Sequence, residues 1–184
     1  MKKIKTNING LFIIENKAFK DDRGSFMESW NKKKFEEIKL YANFTKSNIS
    51  ISKKNTIRGL HFQNKPHGQL KFVQVLYGKV LDVVVDIRKE SKTFGETFTI
   101  ELSDSNNYGL WIPPGCAHGF LSLFDKSIFS YKCTGEYRPN NEHTIIWNDK
   151  DLNINWGVKK PIISKKDKKG ISFKKYIESK EIYG

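Results

Sequence analysis

Hydrophobic and polar residues alternate with a period of two along most of this chain, the pattern of strands with one face buried. The runs 10–15, 44–52, 57–62, 70–77, 80–88, 97–102, 110–112, 119–124, 127–133 and 144–147 carry it, enriched in Val, Ile, Phe, Tyr and Thr. Turn-forming clusters separate the runs: Asp22-Arg-Gly24, Tyr77-Gly-Lys79, Ser103-Asp-Ser-Asn-Asn107, Pro113-Pro-Gly115 and Arg138-Pro-Asn-Asn141. Only 31–40 reads as a helix, with Phe35 and Ile38 three apart and Lys and Glu on the other face, and a second short helix is expected near 176–182. Many short strands with so little helix between them predict an all-β barrel or sandwich rather than a βαβ fold. No internal repeat, low-complexity segment or linker interrupts the pattern, so residues 1–184 are expected to form one domain.

The run 80–88 departs from simple amphipathicity. Leu81, Val83, Val85 and Ile87 make one wholly apolar face, while Asp82, Asp86 and Arg88 share the other. Those charges could face solvent, or they could line a barrel interior, where each would need a partner. The run 70–77 has a comparable mixed face, with Lys71 followed by Val73 and Val75.

Composition narrows the function classes. The 184 residues are 38% hydrophobic and 13% aromatic, enough for a core without disulfides. No apolar run approaches the length of a membrane span, and the basic start lacks an apolar stretch of signal-peptide type. Cys116 and Cys133 are too few for a disulfide framework, so a cytoplasmic protein without membrane partners is expected. The net charge is +13, and 159–175 alone holds eight lysines against one aspartate. No helix-turn-helix, zinc-finger or aromatic-interleaved pattern accompanies them, so they read as a solvated surface rather than a nucleic-acid site. Such a field still favours encounter with a small anionic substrate.

Two histidines lie beside glycine-rich turns, His61 in Arg58-Gly-Leu-His-Phe-Gln63 and His118 in Pro113-Pro-Gly-Cys-Ala-His-Gly-Phe120. The Pro-x-Gly-x-x-His spacing around His118 resembles the second motif of the cupins, small β-barrels that often hold a metal. The first cupin motif needs His-x-His, and the matching spot here is His61-Phe-Gln63; glutamine is a poor ligand for a transition metal, so none is expected.

Taken in order, several segments resemble the dTDP-4-dehydrorhamnose 3,5-epimerases, enzymes that invert carbons flanking the ketone of nucleotide-linked 4-keto-6-deoxy sugars. These are Asp22-Arg-Gly-Ser-Phe-Met-Glu28, Arg58-Gly-Leu-His-Phe-Gln63, Gln69-Leu-Lys71, Asp82-Val-Val-Val-Asp-Ile-Arg88, Ser91-Lys-Thr-Phe-Gly95 and Trp111 to Phe120. Tyr131-Lys-Cys133, Tyr137, Glu142, Trp147-Asn-Asp149 and Ser164-Lys-Lys-Asp167 complete the series, from about residue 4 to about 170. The resemblance implies a cupin-like jelly roll, a homodimer, a dTDP-linked sugar substrate and no cofactor. The absence of a Gly-x-Gly-x-x-Gly fingerprint agrees with the last point.

The resemblance also implies roles. Removing an acidic C–H and returning the proton to the opposite face takes a base, an oxyanion stabiliser and an acid. His61 matches the family base and Asp167 its partner, Lys71 the enolate-stabilising lysine, Tyr131 the acid and Tyr137 the ring that stacks on thymine. Arg23 and Arg58 match positions at the diphosphate, where a planar fork suits phosphate. Glu28, Asn48, His118, Glu142 and Lys166 match other substrate contacts, some of which the family draws from a neighbouring subunit. The usual Gln-Asp-Asn reads Lys46-Ser47-Asn48, which changes the charge beside the nucleotide, and Leu70 replaces a small residue. Alternative readings are a 3-only or 5-only epimerase, a metal-dependent cupin enzyme and a non-catalytic sugar-binding barrel.

Overall fold

In a computed structural model describing residues 1–179, the alternating runs form two antiparallel sheets packed face to face as a cupin-like jelly roll. The first sheet has the order β1 (Lys2–Lys5), β2 (Phe12–Glu15), β10 (Tyr108–Ile112), β7 (Lys71–Tyr77), β12 (Ser127–Thr134) and β5 (Phe44–Ser52). The second runs β13 (Glu142–Thr144), β6 (Ile57–Gln63), β11 (Cys116–Ser122), β8 (Lys79–Asp86) and β9 (Thr97–Ser103). A separate hairpin joins β3 (Ala18–Asp21) to β4 (Gly24–Met27). No helix of the described residues is long and apolar enough to cross a membrane.

The expected strands are present with shifted ends, and three were not foreseen. Three of the four residues of β1 are lysine, and the β3–β4 hairpin has no buried face, so neither shows an apolar alternation. The helix expected over 31–40 is shorter, α1 (Lys32–Glu37): Asn31 caps its first turn by accepting from Lys34 N–H, and Lys39, at φ +59°, lies in the left-handed region just past its end. Phe35 is its one buried residue and joins Trp30, Phe72 and Trp111 in an aromatic cluster on the outer face of the six-stranded sheet. The second helix is α2 (Phe173–Glu178), so the expected 176–182 segment begins inside it and its end lies outside the described residues.

Both faces of β8 are buried, which resolves the ambiguity of 80–88. Val80 and Val84 point into the barrel with Leu110, Phe120 and Phe129. Leu81, Val83, Val85 and Ile87 point outward beneath Ile145, Trp156, Phe173 and Tyr176 of the C-terminal segment. Each fully buried aliphatic side chain contributes roughly 1.5–3 kcal/mol, so covering this second face holds the C-terminal segment in place. Polar pins add direction: Tyr176 donates to the Ile87 carbonyl at 2.7 Å, and Trp156 Nε1 donates to the Trp147 carbonyl at 2.7 Å. Asp149 accepts from the Asp151, Leu152 and Phe173 N–H groups.

The aspartates of β8 face the interior and are paired. Asp82 meets His118, and Asp86 accepts from Arg88, Ser91 and Thr93, anchoring the loop that leads to β9. Burial alone would raise the Asp86 pKa, but these hydrogen bonds outweigh it and hold the carboxyl at about 2. A depressed carboxylate stabilises the fold above its unfolded pKa of about 3.9, and that stability is lost as pH falls toward 2. Asp86→Asn is expected to destabilise the protein by about 3 kcal/mol at neutral pH, since it leaves Arg88 without its buried partner. Urea unfolding across the acid range checks this: the variant should lack the part of the wild-type decline that Asp86 causes between about pH 4 and pH 2.

Candidate active site

The alternation that builds the sheets also decides which side chains can meet between them. On β5, Lys46, Asn48, Ser50 and Ser52 face inward and Ser47, Ile49 and Ile51 face out, while Phe44, beyond a register shift, joins the outer aromatic cluster with Trp30 and Trp111. On β12 the inward residues are Phe129, Tyr131 and Cys133, and on β7 they include Lys71 and Val73. Strand pairing sets Tyr131 beside Asn48 and Val73, and sets Cys133 between Lys46 and Lys71. From the facing sheet, β6 contributes Arg58 and His61, and β11 contributes His118 directly opposite His61.

These residues surround a cavity of about 760 Å³, closed at one side by residues 162–167 of the C-terminal segment. That segment is tied to the sheet by a bridge between Ile162 and Thr56, and within it the Ser164 hydroxyl accepts from Asp167 N–H. Asp167 thereby reaches His61: its Oδ1 lies 2.7 Å from Nε2 of the imidazole, and its Oδ2 accepts from Gly59 N–H. Asp167 is 4% exposed, so this is a buried carboxylate with two partners. Burial pushes its pKa up, but the His61 and Gly59 hydrogen bonds prevail and hold it below the usual carboxylate range. With Nε2–H directed at the carboxylate, Nδ1 is the nitrogen left to accept a proton.

His118 forms a second pair, with Nε2 at 3.0 and 2.9 Å from the two oxygens of Asp82. Among the described residues no group of three or more His, Cys, Asp or Glu side chains is arranged to hold a metal ion. On the opposite sheet, burial lowers the pKa of Lys71 and raises that of Tyr131. Burial likewise pushes the Cys116 thiol up to about 12 and raises Cys133, so neither is an activated nucleophile. Arg58 donates to Ser52 Oγ and the Ile51 carbonyl, which fixes its guanidinium at the cavity edge. At the mouth, Tyr137 donates to Glu142 at 3.0 Å, Lys166 donates to the same carboxylate, and the Lys46 ammonium sits 5.5 Å from the Tyr137 ring centroid.

Eleven of the fourteen expected site residues therefore line one cavity: His61, Asp167, Lys71, Tyr131, Lys46, Asn48, Arg58, His118, Tyr137, Glu142 and Lys166. Three do not. Ser47 lies on the outer face of β5, because neighbours of Lys46 and Asn48 in a strand must point the other way. Arg23 forks onto Asp21 at the tip of the exposed β3–β4 hairpin, and Glu28 pairs with Lys34 and Asn31 beside α1. Ser50 and Cys133 were missed, although their positions two residues beyond Asn48 and Tyr131 mark them as inward-facing. Ser50 Oγ is buried without a hydrogen-bond partner among the described residues. A larger groove of about 1190 Å³ contains none of the expected site residues, and its Arg88 is committed to Asp86.

Fold and cavity define a cupin-like barrel with a histidine–carboxylate dyad on one sheet and a buried lysine and tyrosine on the other. The chain belongs to the dTDP-4-dehydrorhamnose 3,5-epimerase family, whose model matches residues 5–175. It is 47% identical to the dTDP-4-dehydrorhamnose 3,5-epimerase of Shigella flexneri, over 94% of this chain and 96% of that protein. Among solved structures it is similar to the Legionella pneumophila epimerase in complex with dTDP-4-keto-L-rhamnose. There the identity is 40%, with TM-score 0.92 and coverage of 99% of this chain and 96% of that one. It is also similar to a 3'-monoepimerase from Streptomyces bikiniensis in complex with dTDP-quinovose, with 28% identity, TM-score 0.91 and coverage of 98% and 91%.

The dyad depends on close packing of β6 against β11 at Gly59. Its φ is +119°, and a Cβ there would fall 2.5 Å from Gly119 Cα and 2.6 Å from the His118 carbonyl. Gly59→Ala is expected to cost about 3 kcal/mol or more by strain and overpacking. Denaturant unfolding measures the loss, and the proton signal of the His61–Asp167 hydrogen bond should disappear or shift with it.

Proposed function

We propose that this protein epimerises dTDP-4-dehydro-6-deoxy-D-glucose at C3 and C5 to dTDP-4-dehydro-L-rhamnose, in the biosynthesis of dTDP-L-rhamnose and surface polysaccharide. The observation that carries this reading is the placement of the His61–Asp167 dyad on one sheet, facing Lys71 and Tyr131 on the other across a single cavity. Inversion of a carbon needs proton removal on one face and return on the other, and two opposed sheets supply that arrangement. His61 Nδ1 takes the proton from the carbon beside the C4 ketone, and the electron pair moves onto the ketone oxygen. Asp167 stabilises the imidazolium formed, and the desolvated Lys71 ammonium faces the developing enolate oxygen. Tyr131, kept protonated by burial, delivers a proton to the opposite face of the carbon. Solvent then takes the proton from the His61 imidazolium and returns one to the Tyr131 phenolate, and the cycle at the second flanking carbon repeats these steps, with no net oxidation.

Nucleotide recognition in this reading falls to the cavity mouth. Tyr137, 53% exposed, offers its ring to the base, while Arg58, Lys46 and Lys166 offer cations to the diphosphate. The whole chain, 1–184, acts as one epimerase domain, and two buried free cysteines fit a reducing cytoplasm. A homodimer accounts for features left over in the single chain. Ile49 and Ile51 are 63% and 60% exposed on the outer face of β5, and Phe19 and Phe26 are exposed on the hairpin. Pairing through this face lets Arg23 and Glu28 serve a partner's cavity.

Proton NMR in deuterium oxide with this substrate tests the chemistry. Wild-type protein should incorporate deuterium at C3 and C5; incorporation at one carbon alone identifies a monoepimerase, and none overturns the proposal. In the same assay His61→Ala should lower exchange at both carbons by about 10³-fold or more, and Tyr131→Phe should slow product formation more than exchange. Sedimentation should give a mass near twice the 21.4 kDa of one chain, and the Ile49→Asp/Ile51→Asp double variant should sediment as a monomer.

A further inference from the structure

Of the two carboxylates lining the cavity, Asp167 belongs to the dyad and Glu142 has no part in the proton transfers. Glu142 is nevertheless committed. Its Oε2 accepts from the Tyr137 hydroxyl at 3.0 Å and also from the Lys166 ammonium. The Glu142 side chain is 17% exposed. Lys166 immediately precedes Asp167, whose Oδ1 lies 2.7 Å from His61. Glu142 is also the register partner of Gln63, two residues from His61 on the same strand. One oxygen atom thus joins the aromatic ring at the cavity mouth to the chain that carries the dyad carboxylate.

We infer that Glu142 is a positioning residue that couples occupancy of the Tyr137 ring to the setting of the His61–Asp167 dyad. This rests on the nucleotide-sugar reading above. A base stacked on Tyr137 restrains the ring and with it the direction of its hydroxyl. The shared oxygen keeps both donors only while the carboxylate and the Lys166 ammonium hold their places. Lys166 has a flexible and 56% exposed side chain, so fixing its tip restricts the backbone that presents Asp167. Burial pushes the Glu142 carboxyl up, but the hydrogen bonds from Lys166 and Tyr137 outweigh it and keep the group anionic. Binding energy spent at the nucleotide is thereby expressed at the reacting carbon, as remote binding interactions can be.

The test follows the His61 ring nitrogens by ¹⁵N NMR in the full-length protein during titration with dTDP, which undergoes no turnover. Calorimetry on the same samples reports dTDP binding. In wild type, saturation should shift the His61 resonances. Glu142→Gln should bind dTDP with a Kd within about threefold of wild type and lose more than half of that shift. Tyr137→Phe keeps the stacking ring and removes the hydroxyl; it should lose a similar share and carries the test if Glu142→Gln fails to fold. The double variant should lose no more than either single one, because both cut the same link. In turnover, Glu142→Gln should lower kcat about tenfold while KM stays within about threefold, a split that a purely structural role would not produce. A His61 shift that survives in Glu142→Gln would be the direct field of the diphosphate and would overturn the coupling, as would losses that add in the double variant. Bound dTDP with no His61 shift in wild type would overturn it too, with the epimerase reading intact. Failure of wild type to bind dTDP at all would overturn the nucleotide reading, and the coupling with it.

Discussion

The five-stranded sheet is covered on both faces, because Val83, Val85, Ile87, Ala117 and Leu121 would otherwise expose a continuous apolar surface. The cover is the C-terminal segment, through Ile145, Trp156, Phe173 and Tyr176. Its path brings Ile162 to the edge of β6 and carries Asp167 to His61. The dyad is therefore a by-product of burial: the same packing that stabilises the outer face of the sheet sets the carboxylate at hydrogen-bond distance from the imidazole on its inner side. The close approach of β6 and β11 at Gly59 and Gly119 lets the two histidine strands run side by side without a methyl group between them.

Inside the barrel, apolar and charged residues are segregated along the same strands. Val80 and Val84 of β8 pack with Phe120 and Phe129, while Asp82 between them takes His118 as its partner. An unpaired carboxylate at that depth would be costly, and the histidine removes the cost while remaining at the cavity wall. Lys71 is handled differently. Its neighbours across the strands are a thiol and, beyond it, a second ammonium, so burial dominates and lowers its pKa. A poorly hydrated ammonium is a strong donor to a developing oxyanion, which suits the enolate-stabilising role proposed for it.

The family and its structural neighbours include 3,5-epimerases and a 3'-monoepimerase with the same barrel. The same barrel therefore accompanies epimerisation at both flanking carbons and at one. In the function proposed above, the carbons that react are those the sugar ring presents between His61 and Tyr131.

Much of this was legible in the chain itself. The period-two alternation, the turn clusters and the lack of long helices led to an all-β barrel, and the ordered motifs led to the family and to eleven residues of one cavity. The β3–β4 hairpin escaped because a strand pair without a buried face has no alternation to read. Ser47 fell outside the cavity and Ser50 was overlooked for one reason: residues adjacent in a motif alternate between faces once the motif becomes a strand. The sequence by itself determined the residue types and the strands that carry them. Only the tertiary structure decided that Asp167 meets His61 across 106 residues, that Asp82 and Asp86 are interior and paired, and that Glu142 serves Tyr137 and Lys166 together. Those outcomes depend on which surfaces are buried against each other, and local alternation carries no information about contacts between distant segments.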